Sequence, residues 1–286
     1  MLQRILSTIL LWVVAIATLH YLGPPGGVWL ITLLACATQY EFYRMLKRTG
    51  LDPFDRLGLM TGAIVVLAPY YLERLSLSIQ TTDVLAGAVV LFALRILGER
   101  EPHNRMETLA ATLFGVLYVP FMLQFLTRTI VLYDDKYVGL ALGLWLVAVA
   151  KFCDVGALLT GLAFGRHKMA PNISPKKTWE GAAGGVAVSA GIGALLASLG
   201  RSGRFGGPYF PGDFTPLRAA LMAMPIAAAS ITSDLVESII KRRAEVKDTG
   251  QLIPGIGGAF DLTDSLILAA PIGYFLFYFC LAPDGQ

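Results

Sequence analysis

Nine apolar stretches follow one another with little between them, and this constrains the chain more than any other feature. They cover roughly 4–22, 27–45, 57–74, 83–98, 108–128, 138–160, 181–200, 217–241 and 262–282. A helix that crosses a bilayer needs about 20 predominantly apolar residues. Lipid offers the backbone no hydrogen-bond partners, so a crossing segment has to satisfy its own peptide groups. The pattern therefore predicts an all-α, polytopic integral membrane protein with about nine transmembrane helices. We read residues 1–286 as one membrane domain, with 1–137 as N-terminal helices and 138–286 as the half that carries the chemistry. The composition agrees: 15% of the residues are charged, against about 25% in a typical soluble domain, and the mean hydropathy is +0.63.

The first stretch has a short basic start, but its apolar run is long for a secretory leader and no small-x-small cleavage site precedes the prolines, so it reads as the first spanning helix. Pro24-Pro25-Gly26-Gly27 reads as a tight turn between the first two spans, and the long sixth stretch as breaking near Asp154–Gly156. Most of the 23 Lys and Arg fall in the even-numbered loops and at the N-terminus. The positive-inside rule then predicts a cytoplasmic N-terminus in the cell (inner) membrane. It also puts the two most polar loops, 166–180 and 241–260, on the cytoplasmic side. A net charge of +3 is too small to suggest nucleic-acid binding. Cys36, Cys153 and Cys280 form no CxxC pair, and His20, His103 and His167 are dispersed, which speaks against a disulfide framework or a His-based zinc site.

Five acids stand where a membrane protein should not keep them. Asp154, Asp234, Glu237, Asp261 and Asp264 all lie in or at the ends of apolar stretches. A charge at the centre of a spanning helix costs about 2.5–3.5 kcal/mol on insertion scales, so such acids are paired, bound to a cation or turned to a wet cavity. Asp234, Glu237, Ser238 and Lys241 share one helical face, and Asp261, Asp264 and Ser265 repeat that spacing on the next helix. Oxygen ligands of this kind suit a hard cation such as Mg²⁺, which typically uses one or two carboxylates plus substrate phosphates. The bland alternative is a set of helix-end charges at the headgroup level.

Between the two faces runs KDTGQLIPGIGG, 247–258, whose glycines would let backbone N–H groups approach a phosphate. A second polar loop holds Arg166, Lys168, Lys176 and Lys177 just before a helix that opens near Thr178–Gly181. Cations beside a helix N-terminus suit a polyanion, although ordinary positive-inside topology would place the same charges there. No Walker A loop occurs.

These residues carry a resemblance. Ser238-Ile-Ile-Lys241-Arg242, Lys247-Asp248, Gly250, Ile253-Pro254-Gly255, Gly257-Gly258, Asp261 and Asp264-Ser265 resemble the signature of the phosphatidate cytidylyltransferases, the CDP-diacylglycerol synthases. Asp154-Val155-Gly156-Ala157, Gly165-Arg166-His167-Lys168 and Pro171-Asn172-Ile173-Ser174-Pro175-Lys176-Lys177-Thr178-Trp179-Glu180-Gly181 extend it across about 138–282. Upstream, only Tyr40-Glu41-Phe42 is similar to a family step.

The resemblance implies that CTP and phosphatidate give CDP-diacylglycerol and pyrophosphate. It implies Mg²⁺ as cofactor, allows a monovalent cation beside it, and implies a membrane-lipid partner and a homodimer. It makes Asp234 and Asp261 the metal ligands, with Ser238 nearby, and puts Asp264, Lys241, Lys247 and Asp248 among the catalytic residues. Lys241, Arg242 and Lys247 would hold phosphates, while Ser174, Lys176, Lys177, Thr178, Gly257 and Gly258 would contact the nucleotide or the lipid phosphate. Four positions depart from the pattern: Ile256 stands where the family usually has His, Leu262 where it usually has Arg, and Leu158 and Leu162 where a Tyr and a Lys or Arg are common. The competing readings are a CTP-dependent kinase of a polyprenol-type lipid, a cation-coupled transporter, and an inactive scaffold of the same fold.

Overall fold

The structure is a computed structural model. It describes residues 2–76, 78–98, 105–201, 209–246, 249–250 and 257–281, with side chains in the first helix described from Val13 onward. The helices are α1 (Leu2–Arg48), α2 (Asp55–Arg74), α3 (Thr81–Leu97), α4 (Arg105–Tyr118), α5 (Pro120–Val131), α6 (Lys136–Phe164), α7 (Trp179–Arg201), α8 (Pro216–Arg243) and α9 (Ala259–Leu281). Two short strands, β1 (Lys168–Ala170) and β2 (Ser174–Thr178), form an antiparallel hairpin between α6 and α7. The chain is an all-α membrane protein apart from that hairpin. The sequence reading missed it because its strands are short and polar; Pro171-Asn172 was its turn signal.

Among the described residues, six segments have the length and composition of a membrane span: Val13–Arg48, Arg105–Val131, Lys136–Phe164, Trp179–Arg201, Pro216–Arg243 and Ala259–Leu281. The nine expected stretches map onto these six unevenly. The first two stretches are counted as one in α1, but Gly23 leaves the helical region (φ 58°, ψ −139°) and the chain turns back there: a Cβ on Gly26 would lie 2.6 Å from Thr18 O, eight residues earlier. Pro24 and Pro25 start the second part of that helix, where the first turn has no intrahelical use for an N–H. At 17 residues, α3 rises only about 26 Å. In α2, Asp55, Arg56, Glu73 and Arg74 charge both ends. Nor does the sixth stretch break near Asp154: α6 is continuous over 29 residues, and Lys151, one turn before Asp154, offsets its charge at 3.7 Å.

The chain divides into two compact units, each made of two segments: Met1–Thr127 with Ile240–Thr263, and Arg128–Ile239 with Asp264–Gln286. Helices α8 and α9 contribute residues to both.

In the first unit, α1 and α2 approach through Gly58 and Gly62, four residues apart. A Cβ on Gly58 would fall 2.2 Å from the Tyr43 hydroxyl, and one on Gly62 would fall 2.1 Å from Gln39 Oε1. Small residues at this spacing let membrane helices pack closely and place polar groups across the interface. Tyr43 donates to Thr112 O at 2.9 Å, and Gln39 Nε2 donates to Gly58 O at 2.9 Å. Phe42, Phe114, Tyr118 and Phe260 form an aromatic cluster, with Phe42 edge-on to Phe260 at 5.8 Å. Phe92 and Val65 are fully buried beside Ala88 and Val116.

The second unit is built on α6 against α7. Gly181, Gly185, Ser189, Gly193 and Ala197 recur every fourth residue along α7, and all are buried. This stripe lies against α6: Ser189 donates to Val149 O at 2.8 Å, and the Trp145 indole donates to Gly193 O at 2.9 Å. Trp145, Phe214 and Phe277 pack edge to face below it. Close packing of this kind fixes α6, and with it the charged residues on its middle turns.

Candidate active site

In the second unit, α8 and α9 bring acids together. Carboxylate oxygens of Asp234, Glu237 and Asp264 all lie within 4.8 Å of one another. Asp234 and Glu237 sit on one face of α8, one turn apart, and Asp264 comes from α9. The two helices are tied at this level by Ser233, whose hydroxyl donates to Asp264 O and accepts from Leu268 N at 3.3 Å. Glu237 is 2% exposed, so this is a desolvated setting in which like charges repel strongly.

Two lysines enter the same cluster. Lys177, from the end of β2, pairs with Asp234 at 2.6 Å. Lys151, from α6, reaches Asp264 at 3.6 Å and Asp154 at 3.7 Å, and donates to Ser265 Oγ at 2.7 Å. Oxygen ligands from two helices, held by a backbone-anchored serine, fit a hard divalent cation.

The first unit carries a different acidic arrangement around Asp261. Its Oδ1 pairs with Lys241. Its Oδ2 accepts from Gly258 N at 2.7 Å and lies 3.1 Å from Thr249 Oγ1, whose single proton is shared between Asp261 and Glu41. Asp261 lies in the first turn of α9 and takes up an N–H just ahead of that helix, as an acid at a helix N-terminus does. Gly257 has φ +127°, a conformation that side chains rarely adopt, and a Cβ there would come 2.8 Å from Asp261 Oδ2.

The end of α8 prepares this region. Val246 N bonds Lys241 O at 3.0 Å and Glu245 N bonds Arg242 O at 3.2 Å, while Glu245 has φ 54°. This is a Schellman stop with a non-glycine residue in the left-handed position.

The sequence-predicted residues are thus distributed as follows. Asp234 and Asp264 meet, together with Glu237, which the sequence placed on the same face without giving it a ligand role. Asp261 and Lys241 meet in the first unit. Lys177 joins the acidic cluster, whereas Lys176, its neighbour on β2, is exposed. Ser174 is half-buried and paired in register with Ala170. Thr178 is buried, and its hydroxyl accepts from Gly181 N at 3.1 Å, which caps α7. Ser238 is half-buried on α8 and Arg242 is exposed. Gly258 donates to Asp261, and Gly257 gives the turn its positive φ. Lys247, Asp248 and Ile256 lie outside the described residues.

Sequence reasoning left two contributors without a role. Lys151 was a lone charge in an apolar helix, and its i,i+3 spacing to Asp154 was the available signal. Glu41 is buried, and its side chain accepts from Thr249 Oγ1 and from Phe260 N, each at 3.0 Å.

A cytidylyltransferase family model matches residues 2–280. Curated relatives named phosphatidate cytidylyltransferase include one from Haemophilus influenzae, 36% identical over 51% of this chain and 49% of its own length. One from Synechocystis is 30% identical over 96% of this chain and 95% of its own length. One from Brucella suis is 31% identical over 98% and 92%. The chain spans about half the length of the Haemophilus relative and more than nine-tenths of the other two. With a family model that runs almost from end to end and relatives alignable over nearly their whole length, this membrane protein belongs to the cytidylyltransferase family.

Proposed function

We propose that the protein is a phosphatidate cytidylyltransferase, which converts CTP and phosphatidate to CDP-diacylglycerol and pyrophosphate in phospholipid biosynthesis. The observation that carries this reading is the cluster of Asp234, Glu237 and Asp264 flanked by Lys151 and Lys177, in a chain whose relatives bear that name. Its location is the cell (inner) membrane, with a cytoplasmic N-terminus and the chemistry on the cytoplasmic side. Its working form is a homodimer.

In the reaction, a phosphatidate phosphate oxygen attacks the α-phosphorus of CTP, the bond to the β-phosphate oxygen breaks, and pyrophosphate leaves with that electron pair. Such chemistry depends on positioning and charge neutralisation more than on a protein nucleophile. Asp234, Glu237 and Asp264 are the residues that would hold Mg²⁺; the metal role of Asp261 is what the sequence resemblance alone implies. When bound, the ion would supply charge stabilisation to the phosphate oxygens.

Lys177 on Asp234 and Lys241 on Asp261 occupy carboxylates that a cation would otherwise neutralise. On this reading each lysine turns to a substrate phosphate once its carboxylate is otherwise engaged. Lys176, Arg242, Lys247 and Ser174 add to phosphate binding; Asp248, Ser238, Gly257, Gly258 and Thr178 support that surface.

Purified protein supplied with CTP labelled at the α-phosphate, phosphatidate and Mg²⁺ tests the proposal. Labelled CDP-diacylglycerol and pyrophosphate in equal amounts are expected. Release of CDP would identify a lipid kinase instead, and absence of any product would overturn the reading.

A further inference from the structure

We propose that Glu41 is the positioning residue of Thr249 and of the first turn of α9, and that it sets where Asp261 and Lys241 stand. It lies on α1, is 1% exposed, and its nearest functional partners are more than two hundred residues away in sequence. Its Oε2 accepts from Phe260 N at 3.0 Å and from Thr249 Oγ1 at 3.0 Å. Phe260 N is one of the donors that the first turn of α9 leaves without an intrahelical acceptor. A carboxylate at that end is also favoured by the helix dipole. Glu41 therefore caps α9 from another helix.

Thr249 carries the connection onward. Its hydroxyl faces Glu41 Oε2 at 3.0 Å and Asp261 Oδ2 at 3.1 Å, and its N–H points to the same Asp261 oxygen at 3.4 Å. Asp261 in turn holds Lys241. The series Glu41, Thr249, Asp261, Lys241 links a buried anchor on α1 to the cation at the end of α8, entirely within the first unit.

The glycines report the same thing. A Cβ on Gly250 would lie 2.3 Å from Glu41 Oε1, and one on Gly258 would lie 2.0 Å from Thr249 Oγ1 and 2.3 Å from Glu41 Oε2. A side chain at either position would displace the Glu41 carboxylate and, at Gly258, the Thr249 hydroxyl as well. Both donors fall on one oxygen of Glu41, so what the site uses is an acceptor at that point. A glutamine can supply it; an alanine cannot.

The activity arm of the test rests on the nucleotidyl-transfer reading, while the exchange arm does not. Amide hydrogen exchange at Thr249 and across Gly258–Thr263, together with pyrophosphate release, is measured for wild type, Glu41→Gln, Glu41→Ala, Gly250→Ala and Glu41→Ala/Gly250→Ala. Glu41→Ala is expected to speed exchange there by about tenfold. It should also lower kcat by about 10²-fold with little change in KM, the cost of a misplaced site. Glu41→Gln should stay within a few-fold of wild type in both. Gly250→Ala alone should behave like Glu41→Ala, and in the double variant it should add nothing further, because the atoms it would strike are gone.

Should Glu41→Ala fail to fold, Gly250→Ala and Glu41→Gln still give opposite expected results. A Gln variant as inactive as Ala with native exchange would overturn the proposal in favour of a charge that acts on the reaction. Unchanged exchange in Glu41→Ala, or additive losses in the double variant, would overturn it as well. A wild type that turns over no CTP would sink the functional reading alone and leave the exchange arm to decide the role of Glu41.

Discussion

Asp261 and Asp264 are three residues apart on α9, yet the helix carries them into two different chemical settings. Asp261 is surrounded by donors: Lys241 on one oxygen, Gly258 N and Thr249 on the other. Asp264 faces two further carboxylates, with Lys151 at 3.6 Å as a partly solvated counter-charge. In the first setting the protein's own groups neutralise the acid and the acid organises them. In the second the acids crowd together, and a divalent cation is what would make the crowding favourable. Equal spacing in sequence therefore does not mean equal work; the donors available in each unit decide it.

The comparison is broken most directly at the crowded acids. Asp234→Asn and Asp264→Asn should each raise the Mg²⁺ concentration for half-maximal turnover by at least about 10²-fold, given that even supporting residues of metal sites cost 10–100-fold. A Mg²⁺ titration of pyrophosphate release checks this, and an unshifted midpoint in both variants would remove the cluster from the metal site. Asp261→Ala should differ in kind. It strips the acceptor from Gly258 N and Thr249, so the protein should lose about 1–3 kcal/mol of stability even without Mg²⁺, read as a lower Tm in detergent. A native Tm with only a shifted Mg²⁺ midpoint would make Asp261 resemble Asp264 and erase the distinction.

Lys177 and Lys176 sharpen the comparison on the cationic side. Lys177 pairs with Asp234, while Lys176 points to solvent on the other face of the same strand. Lys177→Gln should raise the apparent KM for CTP or phosphatidate by about tenfold, the loss of one charge-assisted bond to phosphate. Lys176→Gln should raise it less. Equal effects would mean that the loop attracts anions by overall charge alone.

The smallest effect is expected at the stop of α8, where Glu245→Gly should stabilise the protein by about 1 kcal/mol by relieving a left-handed non-glycine residue. At the corresponding stop of α1, Gly50 already fills that position with φ +87°, so Gly50→Ala should destabilise by a similar amount. Tm measurements of the two variants decide the pair.

The spans from α6 to α9 were legible because each is a long apolar run, and the acids were legible because a charge in such a run is costly enough to demand a partner. The face shared by Asp234 and Glu237 followed from helical spacing. What spacing could not give was the third member of that group, since the choice between Asp261 and Asp264 depends on how α8 and α9 are joined at Ser233. Lys151 was obscured for the same reason: its partners on α9 are more than a hundred residues away. The turn at Pro-Pro-Gly-Gly was legible because two prolines beside glycines punctuate a chain strongly, and the break falls at Gly23, with Pro24 and Pro25 opening the next helical part. Glu41 was a single buried acid whose meaning depends on Thr249 and Phe260, and no local pattern announces a helix cap supplied from 219 positions away.

The central claim is that the acids of the second unit form a divalent-cation site, and direct ion binding tests it without relying on turnover. Mn²⁺, as a spectroscopic substitute for Mg²⁺, is titrated into the purified protein and into Asp264→Asn in the absence of nucleotide, with bound and free ion separated by electron paramagnetic resonance. The account predicts saturable Mn²⁺ binding to wild type, displaced by Mg²⁺ and weakened by at least about 10²-fold in Asp264→Asn. Wild-type protein that binds no Mn²⁺, or an Asp264→Asn variant that binds it as tightly as wild type, would contradict it.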